Sequence, residues 1–158
     1  VAGFLNEGKY VPPTIFERTQ AEADALAKPL ISEKTSQEIR YLMRLNALEG
    51  SGTRANMFAD GYRIGGKTGT AEKVINGRYS RNLNFNAFAA AFPMDNPRYV
   101  VMVIIDEPHR ENPQTGDTAG WNAGEIAGRI VKETAPLMGV APNFSDALDN
   151  ELVPKELR

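Results

Sequence analysis

The sequence predicts an α+β fold in which an antiparallel sheet of three consecutive strands packs against helices. Three observations support this prediction: two segments carry apolar residues at helical spacing, three β-prone segments lie between them, and short turns separate those β-prone segments. Short turns join antiparallel neighbours, whereas parallel strands need long crossover connections. We therefore expect one sheet with a helix before it and a helix after it in the chain.

The helix before the sheet is predicted to begin at a capping-box signature, residues 35–38 (TSQE), and to end before Gly50 and Gly52. Upstream, residues 1–8 resemble the end of a helix that is cut open at its start, and the proline-containing residues 9–16 are predicted to be extended. The apolar residues that recur at helical spacing after the capping box are Ile39, Leu42, Met43, Leu45 and Leu48.

The three predicted strands are residues 63–74, 84–92 and 98–106. Asn76-Gly77 separates the first two strands and is a strong signal for a hairpin turn. Residues 93–97 (PMDNP) separate the second strand from the third. Both faces of the middle strand are apolar, so we expect it to be the central strand and to lie between helical layers.

The helix after the sheet is predicted to end near Pro136 or Gly139 and to cover one face of the sheet. From Pro142 onward the chain has acidic residues and few hydrophobic ones, which predicts a surface tail with little packing. The domain organisation expected is a packed unit over residues 1–140 and a tail over residues 141–158. The apolar stripe of the second helix consists of Ala123, Ile126, Ala127, Ile130 and Val131.

Composition restricts the classes of function. The 158 residues are 42% hydrophobic, which is enough for the core of one domain, and the net charge of −2 gives no electrostatic case for nucleic acid or an anionic membrane as partner. The chain has no cysteine, and its single histidine, His109, has no companion ligand at helical spacing. No apolar run approaches the roughly 20 residues that span a bilayer. We expect a soluble chain without a metal or cofactor.

The most informative segment, residues 65–71 (GGKTGTA), matches two incompatible motifs. Residues 61–68 (GYRIGGKT) have the spacing of a phosphate-binding P-loop, and residues 100–107 (VVMVIIDE) resemble a strand whose terminal acid helps to hold magnesium. A P-loop must leave a buried strand and open a helix. Here a β-prone segment and the Asn76-Gly77 turn follow instead. A P-loop nucleotide hydrolase remains the alternative, with a nucleotide-induced thermal shift as its test.

The second motif is the Lys-Thr-Gly box of penicillin-binding serine acyltransferases, here Lys67, Thr68 and Gly69. An enzyme that cleaves a peptide with a free terminal carboxylate needs a fixed cation, hydroxyl groups and a β edge for the substrate backbone. Thr68 and Thr70 should share one face of a strand, Lys67 should lie beside them, and Gly69 should allow close approach. These four residues are the predicted substrate-binding set. The plainer interpretation is a short exposed strand edge without a ligand.

In this light the chain resembles the transpeptidase domain of class B penicillin-binding proteins, in particular the division type that cross-links septal peptidoglycan. The resemblance covers about residues 1–140. It rests on residues 8–13 (GKYVPP), 48–55 (LEGSGTRA) and 65–73 (GGKTGTAEK), and on the strand ending 106–108 (DEP). It implies an antiparallel sheet with the last helix packed on it, in an incomplete fold like that of serine β-lactamases.

The resemblance also implies roles and partners. The backbone N–H of Thr70 would be one of two oxyanion-hole donors, which makes Thr70 the one catalytic contributor expected in this chain. Peptidoglycan stem peptides and β-lactam antibiotics would be the ligands, and divisome proteins the partners of the parent. The parent would lie at the periplasmic face of the bacterial inner membrane. An N-terminal half of the same domain, outside this chain, would supply an all-α region and the remaining strands.

Two family motifs are absent. No serine has a lysine three positions later, so the Ser-x-x-Lys nucleophile is missing. The single Ser-x-Asn match, residues 80–82 (SRN), follows the Lys-Thr-Gly box when it should precede it, and we interpret it as chance. The chain alone should therefore be inactive, and its third strand should lack a neighbour, which favours a dimer. A non-catalytic penicillin-recognising sensor is a further alternative. Gly124-Glu125 stands where many members carry Ala-Pro.

Overall fold

A computed structural model describes residues 1–110, 112–145 and 147–154, and these residues form six helices and five strands. In chain order the elements are α1 (Ala2–Leu5), β1 (Lys9–Tyr10), α2 (Gln20–Leu26), β2 (Lys28–Pro29), α3 (Glu33–Glu49), α4 (Thr53–Phe58), β3 (Gly65–Ile75), β4 (Arg78–Phe92), β5 (Tyr99–Asp106), α5 (Ala123–Thr134) and α6 (Ala147–Leu152).

The main sheet is antiparallel with the order β3-β4-β5, as the turns predicted. Asn76 and Gly77 form the turn between β3 and β4 with φ angles of 51° and 77°, which is the left-handed backbone that this residue pair favours in hairpins. Strand β4 begins at Arg78, six residues before the predicted start, so the hairpin is longer than expected. Its tip extends beyond the last residues that pair with β5.

Two apolar layers enclose β4. On one face Phe88 and Ala90 are fully buried against α5, together with Val103 of β5. On the other face Ala91 packs with Met94, and side chains of α1 and α3 cover them. The prediction of a central strand between helical layers is confirmed, because side chains alternate across a strand and both sets are apolar here.

The helix boundaries differ from the predicted ones at three places. The N-cap of helix α3 is Ser32, three residues before the predicted cap at Thr35, so the helix begins at Glu33. The Ser32 side chain accepts a hydrogen bond from the Thr35 backbone N–H. A complete capping box occurs at Thr19 and Glu22 of α2, a helix that the periodicity did not indicate. Helix α4 was not predicted either, since its six residues are too few for a periodic pattern.

The C-terminal segment packs more than its composition predicted. Its residue Asp149 binds the guanidinium of Arg44, a side chain on α3 that is only 6% exposed. Arg63, equally buried, donates to the backbone oxygen of Asn143 at 3.0 Å, and Asn143 N donates to Gly61 O at 2.7 Å. The expectation of little packing after residue 142 is therefore wrong for these contacts. The division at residue 140 stays a prediction, and residues 155–158 lie outside the described residues.

Candidate active site

Strand β3 brings Lys67, Thr68, Gly69 and Thr70 together at an edge of the main sheet. On one side β3 pairs with β4, and within the described ranges no strand pairs with its other side. An unpaired strand edge presents backbone N–H and C=O groups that an extended peptide can pair with. The predicted residues therefore lie where a peptide substrate can add as a further strand.

The register of β3 fixes which way these side chains point. Thr68 lies opposite Phe88 and Thr70 lies opposite Asn86 on β4, so both threonines are on the face that carries α5. Lys67 alternates with them and projects from the other face. The predicted shared face of the two threonines is observed.

Lys67 is exposed and carries the unpaired positive charge of this edge. Its Nζ donates to the backbone oxygen of Thr68 at 2.8 Å and approaches Thr68 Oγ1 at 3.4 Å. Among the described residues Lys67 makes no ion pair. A cation held against a hydroxyl without a carboxylate partner is suited to bind an anionic group of a ligand.

The Thr68 hydroxyl contacts a residue that the sequence reasoning did not assign to the site. Thr68 Oγ1 lies 2.7 Å from Ser51 Oγ, and Ser51 follows the C-terminus of α3. The side chain of Asn46, in the last turn of α3, binds both the Ser51 residue and the Gly66 backbone oxygen. Residues 48–55 come next to the Lys-Thr-Gly box only in the folded chain, so the sequence pattern alone does not place Ser51 there.

Thr70 is held by the loop that leads into α5. Its Oγ1 accepts a hydrogen bond from the backbone N–H of Ala119 at 3.1 Å. Accepting this bond leaves the hydroxyl proton of Thr70 free to donate. Thr70 thus anchors the loop through its oxygen, while the oxyanion role of its backbone N–H stays a prediction.

A fully buried asparagine on β4 fixes the same loop. Asn86 Nδ2 donates to the backbone oxygen of Asp117 at 2.6 Å and to Asn122 Oδ1 at 3.2 Å. Asn122 in turn caps α5, since its Oδ1 accepts from Ala123 N. Arg110 hydrogen-bonds the Asp117 side chain and lowers the pKa of that carboxyl. These contacts place the loop and the start of α5 against the edge of β3.

The glycines of β3 serve two different purposes. A Cβ at Gly65 would lie 2.6 Å from Met94 Cγ, and a Cβ at Gly66 would lie 2.6 Å from Phe88 Cζ, so close packing requires both glycines. A Cβ at Gly69 would have its nearest neighbour, the Ala87 backbone oxygen, at 4.0 Å. The fold therefore does not require glycine at position 69, which agrees with a glycine kept free for an approaching ligand.

The strand also excludes the nucleotide-binding interpretation. Thr68 lies inside an extended strand that continues to Ile75, and no helix begins there. A P-loop places its phosphate-binding backbone at the N-terminus of a helix, so the geometry for binding a polyphosphate is absent from residues 61–68.

Comparisons with known proteins agree with this geometry. Residues 1–132 match the family described as "Penicillin binding protein transpeptidase domain". The chain belongs to this transpeptidase family. It is 37% identical over 134 residues to stage V sporulation protein D of Bacillus subtilis, and 37% identical over 146 residues to the probable peptidoglycan D,D-transpeptidase FtsI of Caulobacter vibrioides. These alignments cover 85% and 86% of this chain.

A solved structure shows the same fold. The TP domain of penicillin-binding protein 3 from Burkholderia pseudomallei superposes with a TM-score of 0.75 at 30% identity, over 90% of this chain and 41% of that one. The chain spans only 20% and 24% of the length of the two curated relatives. The TP domain of the Burkholderia protein thus extends well beyond the part that this chain matches.

Glu125 lies in the first turn of α5, and the structure gives this residue a local role. Burial of Glu125 raises the pKa of its carboxyl, but hydrogen bonds from Arg54 and Arg129 outweigh burial, so the pKa is lowered. Arg54 also stacks on the ring of Trp121, with 4.7 Å from Cζ to the centroid. The transpeptidase helix therefore begins with an acid that ties it to α4.

Three further features of the transpeptidase segment concern the Ser-x-Asn match, membrane-spanning helices and metal-binding clusters. The Ser80-Arg81-Asn82 match lies in β4, and the side chains of Arg81 and Asn82 lie outside the described residues. Across residues 1–110, 112–145 and 147–154, no helix is both long and apolar enough to cross a bilayer. The same residues contain no group of three or more His, Cys, Asp or Glu side chains placed to hold a metal ion.

Proposed function

We propose that the parent protein containing this chain is a peptidoglycan D,D-transpeptidase. It transfers the acyl group of the penultimate D-alanine of one stem peptide to an amine on another, and β-lactams trap its acyl-enzyme. The observation that carries this proposal is the unpaired edge of β3, where the free cation of Lys67 and the Thr68 hydroxyl adjoin Gly69. Membership of the transpeptidase family supports the same activity.

The edge residues have distinct roles in this proposal. The stem peptide pairs its backbone with β3, and its terminal carboxylate binds Lys67 and Thr68, since a cation and a hydroxyl both stabilise that charge. Gly69 lets the scissile bond approach the strand. The backbone N–H of Thr70 donates to the oxyanion, and the loss of such a donor costs about 3 kcal/mol of transition-state stabilisation.

A serine outside this chain performs the covalent step. Its hydroxyl attacks the carbonyl carbon of the penultimate D-alanine, the bond to the terminal D-alanine breaks, and a proton passes to the departing amine. The acceptor amine of a second stem peptide then attacks the ester and releases the serine. This chain supplies substrate-binding groups only, so by itself it is inactive.

The name of one relative supports a proposal for the cellular setting. One relative is named FtsI and called a peptidoglycan D,D-transpeptidase. By this likeness we place the parent in septal cell-wall synthesis, with divisome proteins as partners, at the periplasmic face of the bacterial inner membrane.

The outer edge of β5 is the expected junction with the rest of the parent. β5 is the last strand of the sheet, and Val100, Met102 and Ile104 expose an apolar stripe on one face. We expect a strand and a helix from the rest of the domain to cover them. Alone, the chain should dimerise through this edge. A clean monomer at high concentration, measured by size-exclusion chromatography with light scattering, would contradict that expectation.

The test of the proposed function is a cross-linking assay with the parent protein and a donor peptide ending in D-Ala-D-Ala. Lys67→Ala and Thr68→Val should each lower kcat/KM by about 10- to 100-fold, the effect of losing a hydrogen bond to a charged group. Lys73→Ala is the matched control, because Lys73 lies in the same strand but pairs with Asp106 and Glu107. It should leave kcat/KM nearly unchanged.

The same assay separates the enzyme from a sensor. A parent that forms a stable adduct with penicillin but never cross-links peptides would be a non-catalytic receptor with a similar edge. Equal losses in the Lys67 and Lys73 variants would show that the edge has no specific role in binding.

A further inference from the structure

The turn after α3, residues 50–52 (GSG), is built around one side-chain amide. A Cβ at Gly50 would lie 2.4 Å from Asn46 Oδ1, and a Cβ at Gly52 would lie 3.1 Å from Asn46 Nδ2. The backbone N–H groups of both glycines donate to the Asn46 backbone oxygen. The two glycines therefore let the turn close on Asn46, and Ser51 between them is presented toward β3.

The orientation of the Asn46 amide fixes the direction of the hydrogen bonds. Its Nδ2 donates to the Gly66 backbone oxygen at 2.8 Å, so Oδ1 faces Ser51 and accepts from Ser51 N and Ser51 Oγ, each at 3.2 Å. An amide oxygen can only accept, so the Ser51 hydroxyl proton points to Asn46. The Thr68 hydroxyl must then donate to Ser51 Oγ across the 2.7 Å contact.

A second element holds Ser51 from the opposite side. A Cβ at Gly120 would lie 2.4 Å from the Ser51 backbone oxygen and 3.8 Å from Thr68 Cγ2. Gly120 belongs to the loop that Thr70 anchors through Ala119. The end of α3 and the loop before α5 thus both contact Ser51, and its exposed hydroxyl is the one that contacts Thr68.

We propose that Ser51, oriented by Asn46, is a positioning residue that holds the Thr68 hydroxyl in the rotamer that receives the substrate carboxylate. This inference rests on the proposed function. When a carboxylate binds, the Thr68 proton turns from Ser51 to the carboxylate, and the Ser51 proton turns from Asn46 to Thr68 Oγ1. Asn46 Oδ1 keeps the Ser51 backbone N–H, so this amide oxygen stays hydrogen-bonded. Two protons turn while the heavy atoms stay in place.

The test uses the full-length parent and a donor peptide ending in D-Ala-D-Ala. Ser51→Ala should raise KM by about fivefold, the effect of one neutral hydrogen bond, with kcat little changed. Ser51→Thr and Ser51→Val form a matched pair of nearly equal shape, and only Ser51→Thr should retain the wild-type KM. In a Thr68→Val background Ser51→Ala should add no further loss, because a residue that acts through Thr68 is not additive with it.

A second substrate tests whether the effect of Ser51 depends on the terminal carboxylate of the peptide. With the same peptide ending in a carboxamide, the difference between wild type and Ser51→Ala should disappear. Four results would each overturn the proposal. They are additive losses in the double variant, an equal loss with the carboxamide, equal KM values for Ser51→Thr and Ser51→Val, and a lower KM for Ser51→Ala. If the wild-type parent turned over neither peptide, the proposed function would fail instead. Thermal unfolding of each variant identifies those that do not fold, and the Ser51→Thr and Ser51→Val pair then decides.

Discussion

The two ends of β3 are held in opposite ways. At its start, Gly65 and Gly66 are buried between Met94 and Phe88, and Arg44 of α3 donates to the backbone oxygen of Ile64 just before the strand. At its end, Val74, Ile75 and the turn project beyond β5, and both side chains are exposed. Lys67–Thr70 lie between these regions. The comparison indicates that the proposed substrate-binding edge is held more firmly at its start than at its end.

The largest effect should come from the buried arginine at the anchored end. Arg44→Met leaves Asp149 without its closest cation and leaves the Ile64 and Asn56 oxygens without a donor, so it should destabilise the chain by about 3 kcal/mol. Arg78→Met makes the same replacement at the exposed end and should change stability by less than about 0.5 kcal/mol. Chemical denaturation measures both, and similar losses would mean that the two ends are equally anchored.

Glycine substitutions sharpen the comparison within the strand. Gly66→Ala brings a methyl group against Phe88 and the Ala89 backbone oxygen at 2.8 Å, and should cost about 2 kcal/mol. Gly69→Ala meets open space and should cost less than about 0.5 kcal/mol. In the parent, Gly69→Ala should nevertheless slow acylation by penicillin, because the methyl group obstructs the ligand. A folded Gly69→Ala parent with wild-type acylation would show that no ligand approaches there.

The projecting end should tolerate polar replacements. Tyr79 is 74% exposed and Val74 is 58% exposed, so Tyr79→Ser and Val74→Thr should each alter the free energy of unfolding by less than about 0.5 kcal/mol. Denaturation curves test this expectation. A loss above about 1.5 kcal/mol, the scale of burying a large apolar side chain, would mean that the hairpin tip is packed against another surface.

Lys73 lies at the boundary between the two regions of β3. A change in its pKa is the smallest of the expected effects. Hydrogen bonds from Lys73 Nζ to Asp106 and Glu107 raise the pKa of the ammonium above its ordinary value of 10.5. The interactions of Lys73 with these two carboxylates therefore contribute their full stabilisation below pH 10.5. That stabilisation is lost as the pH rises through the raised pKa of Lys73. Glu107→Gln should lower the pKa of Lys73, as measured by NMR of the ¹³C-methylated lysines. An unchanged titration would show that Glu107 is not its partner.

The sequence predicted the parts of the fold that depend on local pattern. Asn76-Gly77 located the hairpin, and alternating apolar residues identified β4 as central. It did not predict α4, because six residues are too few to show a helical period. It also did not predict how the C-terminal segment packs, because that segment is held by single polar residues and has no apolar stripe. Those contacts join residues about a hundred positions apart, so only the folded chain places them together.

The candidate site divides in the same way. Period-two alternation predicts that Thr68 and Thr70 share one face, and the register of β3 confirms it. Ser51 and Asn46 were not recognised, because their relation to Thr68 depends on how the end of α3 crosses β3. The one available signal was the Gly-Ser-Gly turn, which indicates close backbone packing without naming its neighbour.

The central claim is that this chain binds the substrate while the acylated serine lies elsewhere in the parent. The most direct test is mass spectrometry after incubation with benzylpenicillin, on the parent and on this chain alone. We expect the parent to gain one penicilloyl adduct on a serine outside residues 1–158, and the isolated chain to keep its mass. An adduct on any residue of this chain, formed under the same conditions, would contradict the account.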